Sequence, residues 1–300
     1  MFPSSKQKFR ELSSRLLVAF AWCAARLPLR AQFALGRAIG DMALRAASDR
    51  RHVAETNVRL CFPQLDDRAR DALVRANFRA TGIGIVETAI AWFREPARYV
   101  DRLSVTGLEH LLKAERLGRG VLLIGAHFVT LDFAGALLSL VADIDVVYRP
   151  NENRVLERAT RRGRNRYFGG VIERDDMRTL LNRLKSGRVV WYAADQDYGR
   201  RVSVFAPFFG VQAATIATTS RLAAFNGSPS IFFGHFRDEA TMTWQLEFSA
   251  PIEGYPSGDA VADATRINAV IERAVAKHPE QYLWMHRRFK TRPEGEDRPY

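Results

Sequence analysis

Three hundred residues with 47% hydrophobic content suffice for a full core, in one large domain or one domain with an appendage. A net charge of +12 and a pI of about 10.2 point to an anionic partner: nucleic acid, a phospholipid surface or a phosphorylated substrate. Two cysteines, Cys23 and Cys61, exclude a disulfide scaffold and a cysteine-based metal site, and fit a reducing compartment.

The N-terminus is the most basic part of the chain. Residues 1–51 carry ten Lys and Arg, from Lys6, Lys8 and Arg10 to Arg50 and Arg51, against Glu11, Asp41 and Asp49; that is +7 of the total +12. Residues 16–25 form an apolar run that includes Phe20 and Trp22 and is closed by Arg26 and Pro28. Crossing a bilayer takes about 20 apolar residues, so the run is too short for a clean transmembrane helix. No cleavage site follows it, as a signal peptide would require. The pattern suits an amphipathic, cation-rich helix lying among lipid headgroups, and the plainer alternative is a core helix with a basic outer face.

Beyond it, residues 51–60 read as a basic amphipathic helix ending at Cys61-Phe62-Pro63, and 66–93 as one or two helices. Asp66 is a candidate cap there, with Gly82 and Gly84 an interruption. Strand-like runs at 121–125, 144–148, 171–173, 189–193 and 230–236 then alternate with helix-like stretches at 131–141, 153–167, 177–185 and 213–224. Residues 243–248 alternate in polarity as an edge strand would. This predicts an α/β fold, a mostly parallel central sheet flanked by helices, with the site built from loops at strand ends.

The run from Val121 to Ile124 passes through Gly125 and Ala126 to His127, and Asp132 follows five residues later. Five residues on a regular helix turn through roughly 500°, so the two side chains meet only if His127 precedes the helix and Asp132 opens it. Thr130 is the expected N-cap. A carboxylate that fixes the tautomer of an imidazole makes it a general base. No Gly-x-Ser-x-Gly elbow supplies a protein nucleophile, which leaves the substrate's own hydroxyl to attack. An isolated His-x4-Asp is more commonly a core histidine beside a helix cap, so the neighbouring segments decide the matter.

Other strand ends carry polar clusters. Tyr148-Arg149-Pro150 ends one. The following helix carries Arg154, Arg158, Arg161, Arg162, Arg164 and Arg166; a solvated charged face is its plainer reading. Arg174 closes Gly170-Val171-Ile172-Glu173, and Trp191-Tyr192-Ala193-Ala194-Asp195-Gln196-Asp197 ends the next strand. Loop capping alone would also account for Asp195 and Asp197. The aromatic loop Phe205-Ala206-Pro207-Phe208-Phe209-Gly210 must cover a core, an acyl chain or a membrane.

Taken in order, these segments resemble the late (lauroyl/myristoyl) acyltransferases of lipid A biosynthesis in Gram-negative bacteria, within the lysophospholipid acyltransferase superfamily. The resemblance runs from Asn57-Val58-Arg59-Leu60-Cys61-Phe62-Pro63 to Gln281-Tyr282-Leu283-Trp284-x-His286-Arg287-Arg288-Phe289-Lys290. Many members carry Glu at the position of Asp132, and the N-terminal apolar run is shorter than the single-pass anchor of the family.

The resemblance implies transfer of a fatty acyl chain from acyl carrier protein to a hydroxyl of a Kdo-bearing lipid A precursor, in lipopolysaccharide biosynthesis. It implies His127 as base with Asp132 orienting it, and Arg164, Asp195, Arg149 and Arg174 as substrate-binding positions, with Arg164 expected on a phosphate and Asp195 expected to position Arg164 or a sugar hydroxyl. No metal and no cofactor are expected, because the thioester donor is already activated. The implied partners are acyl carrier protein, the lipid A precursor and an anionic membrane surface at the cytoplasmic face of the bacterial inner membrane. Nucleic acid is not expected, since no nucleic-acid motif accompanies the charge. Residues 1–45 would form the membrane-associating segment and 46–300 the catalytic domain. The alternative within the class is an acyltransferase for another glycolipid or lysophospholipid.

Overall fold

A computed structural model describes the backbone from residue 5 and the side chains from residue 10 to Tyr300; the side chains of Lys6 and Lys8 lie outside the described residues. Four helices come first: α1 (Ser5–Ala24), α2 (Leu29–Ala46), α3 (Ser48–Cys61) and α4 (Asp67–Phe93). Strand β1 (Leu103–Thr106) and helix α5 (Leu108–Glu115) follow, then β2 (Val121–Gly125), α6 (Leu131–Leu138), β3 (Ile144–Tyr148), α7 (Arg154–Arg164), β4 (Gly170–Glu173), α8 (Met177–Lys185) and β5 (Val189–Ala193). A hairpin of β6 (Ser203–Phe208) and β7 (Val211–Ile216) leads to α9 (Thr218–Asn226), β8 (Ser230–Asp238), β9 (Thr243–Pro251) and α10 (Ala260–Lys277).

Seven strands form the central sheet in the order β1-β9-β8-β2-β5-β3-β4. Every neighbouring pair is parallel except β8 with β9. The predicted α/β fold with a mostly parallel sheet is therefore what forms. β2 is buried at every position, as a strand covered on both faces must be. One apolar cluster, with Phe133, Leu137, Trp191 and Phe233, packs beneath α5 and α6; the other, with Leu180, Phe208, Leu222 and Ile271, packs beneath α8, α9 and α10.

The central strands set up the site by their connections. From β2 the chain leaves through α6 on one face, and from neighbouring β5 it leaves through the β6–β7 hairpin and α9 on the other. Adjacent parallel strands whose chains diverge to opposite faces leave a crevice at their carboxyl ends.

Some local expectations needed correcting. β9 is not an edge strand, because β1 pairs along its outer side. The run 213–224 is not one helix: its first part is β7, and α9 starts at Thr218. The aromatic stretch 205–210 forms most of β6 and the turn after it, and Phe208 is fully buried against Tyr282 and Phe289, covering the core. Asp66 caps α4 as expected, accepting from the Ala69 amide at 2.7 Å. Thr130 holds the N-cap position of α6 without capping it; its hydroxyl bonds to His235 instead.

Gly82 and Gly84 do not interrupt α4, which is continuous over 27 residues. They are close-approach points. A Cβ on Gly82 would fall 2.1 Å from the Gly36 carbonyl oxygen of α2, and one on Gly84 would fall 2.2 Å from the carbonyl oxygen of Val129. Alanine is ordinarily the better helix residue by about 0.5–1 kcal/mol. Here the expected sign is reversed: Gly82→Ala and Gly84→Ala each lower stability by about 1–3 kcal/mol through overpacking, measured by denaturant unfolding.

Candidate active site

His127 and Asp195 meet because of strand register. Gly125 on β2 pairs with Ala193 on β5, so the residues two steps beyond each leave the sheet side by side. Asp195 accepts twice from His127, from the backbone amide at 2.8 Å and from ring Nδ1 at 2.7 Å. This fixes the proton on Nδ1 and leaves Nε2 as the basic nitrogen. Asp195 is 2% exposed. Burial pulls the His127 pKa down, but the charge of Asp195 and its hydrogen bond outweigh burial and hold the imidazole above its usual value. Burial likewise pushes the Asp195 carboxyl up, and the His127 ring overrides it, holding the group well below the ordinary carboxylate range.

The loop that presents His127 is fixed from two further sides. The Val129 amide donates to Gln281 O at 2.8 Å, and the Leu283 amide to His127 O at 3.0 Å, so the C-terminal segment runs antiparallel to the loop. That segment is anchored by Asn57, whose Nδ2 donates to Trp284 O and His286 O, and by Asn77, which donates to Glu280 O and Tyr282 O.

Asp132 does not orient His127. It opens α6 as expected, but its Oδ1 accepts from Arg164 Nε at 3.0 Å and Nη2 at 2.8 Å. The carboxylate of β5 already occupies the imidazole, and Arg164 at the end of α7 reaches Asp132 from the opposite side. Arg164 is accordingly not a free anion receptor, and Asp195 holds His127 rather than Arg164. The guanidinium of Arg164 also lies 5.6 Å from the ring centroid of Tyr148.

These groups border one cavity of about 460 Å³ at the carboxyl ends of β2, β3 and β5. His127, Asp132, Arg164, Arg149 and Arg174 all line it, and its apolar wall is built by Leu131, Leu138, Ile144, Val146, Phe168 and Trp191. Gly135 completes that wall, where a Cβ would come 2.9 Å from Phe168 Cζ. Phe205, Phe208 and Phe209 of the hairpin do not line this cavity. The mouth is basic: Arg149 is exposed, its Nη2 3.4 Å from Glu152, and Arg174 has its Nε 3.5 Å from Asp175.

Two lining residues, His286 and Lys290, were not singled out from the sequence, although both stand in the C-terminal motif. His286 Nε2 accepts from the Asp197 amide at 3.3 Å, which puts the ring proton on Nδ1. Burial pulls the His286 pKa down to about 4, so the ring is a neutral donor near pH 7. Lys290 Nζ donates to Asp197 O at 3.3 Å, and the Asp197 carboxylate accepts from the Thr291 amide and hydroxyl. Asp197 thus docks the tail, and it also caps its own loop by accepting from the Gly199 amide at 2.8 Å, the alternative weighed for it. Among the described residues no group of His, Cys, Asp and Glu is arranged to hold a metal ion.

A basic nitrogen held in one tautomer, at the junction of an apolar pocket and a cationic mouth, suits proton removal from an amphiphilic substrate. Comparison with known proteins gives the family. Residues 2–291 match the bacterial lipid A biosynthesis acyltransferase family. The chain is 37% identical over 306 residues to the lipid A biosynthesis palmitoleoyltransferase of Escherichia coli (strain K12), covering 100% of both. It is 38% identical over 279 residues to the lauroyltransferase of that strain, covering 93% of this chain and 91% of the relative. A lipid A biosynthesis acyltransferase of Haemophilus influenzae is 34% identical, covering 84% and 81% respectively. The chain belongs to the bacterial lipid A biosynthesis acyltransferases, a family of transferase enzymes.

Proposed function

We propose that this enzyme moves a fatty acyl chain from acyl carrier protein thioester to a hydroxyl of a Kdo-bearing lipid A precursor, at the cytoplasmic face of the bacterial inner membrane. The observation that carries the mechanism is the tautomer: His127 gives Nδ1 to Asp195 and lines the cavity with Nε2 unshared. Nε2 takes the proton of the acceptor hydroxyl as its oxygen attacks the thioester carbonyl. Collapse of the tetrahedral adduct breaks the C–S bond, and the imidazolium returns its proton to the departing thiolate. An ester and a free carrier thiol result, with no cofactor drawn upon. The acyl chain occupies the apolar wall, and Arg149, Arg174 and Lys290 at the mouth attract the acceptor's phosphates. Arg164 and Asp132 form a neutral pair that borders the reaction.

The direct test is mass spectrometry of product from purified wild type and variants, with acyl carrier protein thioester and the tetra-acylated, Kdo-bearing acceptor. His127→Ala should lose about 10²–10⁴-fold in rate, the usual worth of general-base catalysis. Full activity in that variant, or transfer to a different lipid only, overturns the base or the acceptor respectively. In wild type, kcat/KM should fall as pH drops through a pKa above the ordinary imidazole value of about 6.5, because protonated His127 cannot act as base. Asp195→Asn removes the charge that raises this pKa, so its acid limb should move to lower pH, with a lower plateau. Asp132→Asn should leave the limb nearer wild type.

If the chain lies along the apolar wall, Gly135→Val should turn donor preference toward shorter acyl chains, read by competition between thioesters of different length. The side chain must displace the Phe168 ring or fill the cavity.

No described helix is long and apolar enough to cross a membrane. α1 nevertheless exposes Leu12, Leu16, Leu17 and Phe20 along one face, which supports an in-plane seat among headgroups. Removing an apolar side chain from such a seat forfeits roughly 1.5–3 kcal/mol. Leu16→Ser with Phe20→Ser should therefore weaken sedimentation with anionic vesicles at least about tenfold, while wild-type binding falls as salt rises.

A further inference from the structure

Beside the reaction cavity, beneath the other face of the sheet, lies a groove of about 580 Å³ that the chemistry above does not use. Met177, Leu181, Val202, Ile216, Leu222 and Phe225 form its apolar walls. It adjoins the cavity: Arg174, Tyr192 and Tyr198 line both spaces. Val202 is 45% exposed and Phe225 51%, so large apolar side chains stand in solvent at its rim. Singly such residues are ordinary, but grouped around a concave site they mark an interface.

The rim is cationic. Arg221 lines it, Lys185 Nζ lies 4.8 Å from the Phe225 ring centroid, and the Arg174 guanidinium 5.7 Å from that of Tyr198. Arg178, Arg200 and Arg201 are exposed nearby. Asp175, which also lines the groove, lies 3.5 Å from Arg174 and offsets it, and Asp176 caps α8 by accepting from the Thr179 amide, so the net positive charge is carried by Arg221, Lys185, Arg178, Arg200 and Arg201.

We propose that this groove is the docking surface for the acidic carrier protein that delivers the acyl thioester. The inference rests on the donor assigned above and adds where that donor binds. Charge complementarity favours an acidic protein with a few apolar side chains over a neutral one. Adjacency to the cavity lets the carrier stay outside while its thioester arm passes over Tyr198, which lines both spaces, toward His127. The occupant is not the bilayer, because the groove and α1 belong to opposite faces of the sheet. Ala21 of α1 packs with the Phe133–Trp191 cluster, whereas the groove wall of Ile216 and Leu222 belongs to the other. A carrier in the groove and a membrane against α1 therefore do not compete.

The test is steady-state kinetics of the full-length enzyme and an Arg221→Glu/Phe225→Ser variant, with the acyl group either on carrier protein or on pantetheine alone. Both side chains are exposed, and Arg201→Glu serves as a second, folding-neutral variant. The expected result is a KM for carrier thioester raised about tenfold or more with kcat little changed, and a salt-dependent KM in wild type. Turnover of acyl-pantetheine and sedimentation with anionic vesicles should be as in wild type. An unchanged carrier KM, an equal loss with acyl-pantetheine, or lost vesicle binding overturns the docking surface and leaves the donor assignment standing. Wild type that does not prefer carrier thioester over acyl-pantetheine removes the donor assignment and the surface with it.

Discussion

The parallel pairing of β2 with β5 is the constraint from which the rest of the site follows. It fixes Gly125 opposite Ala193, and two residues of chain beyond each are then enough to bring an imidazole to a buried carboxylate. A one-residue slip would turn every side chain of β2 to the other face. The register is locked because the strand is buried on both sides and each face packs a different apolar cluster. Burying a carboxylate is costly unless its charge is met. Asp195 meets that condition through two hydrogen bonds from one residue, so the pair that stabilises the buried charge also aims the histidine.

The surroundings of His127 act on the same loop from other directions. α4 presses its backbone against Val129 where Gly84 allows it, and the C-terminal segment closes the remaining edge through Gln281, Tyr282 and Leu283. Helix, strand end and tail therefore converge on five residues of chain. Such over-determination holds a reactive side chain within tenths of an ångström, which proximity effects in catalysis require. Asn57, which stands in the motif set, and Asn77 do not line the cavity, yet they hold the tail that supplies His286 and Lys290.

Much of this could be read from the chain, and the failures share one cause. The parallel α/β architecture, the strands carrying the site and the position of His127 follow from apolar runs and their spacing, which are local properties. The partner of His127 does not. Asp132 is near in sequence and opens the adjacent helix, so local spacing selects it; Asp195 is selected by the order of strands, which no spacing reveals. The same holds for Thr130, drawn from its cap by His235 across the fold, and for Gly82 and Gly84, whose small size answers to α2 and Val129 rather than to α4 itself. The hairpin at 203–216 was hidden differently: alanines in β7 favour helix on propensity, and pairing with β6 overrides them.

Asp132 nevertheless keeps a defined place in the electrostatics of His127. Arg164, on the cavity wall, pulls the imidazole pKa down, and Asp132 pushes it up. The two act in opposite directions, and Asp195 affects His127 more than either. A motif that reads as a dyad in sequence is thus, in space, two pairs: a buried one that sets the base and a wall-side one that pairs Asp132 with Arg164. Arg164 ends α7, whose N-cap Asn153 donates to Ser14 of α1 at 2.7 Å. The outer pair is therefore mechanically joined to the helix with the exposed apolar face, while the inner pair is joined to the sheet. The base is thus built on the rigid sheet, and the arginine that Asp132 pairs with is carried on the peripheral helix.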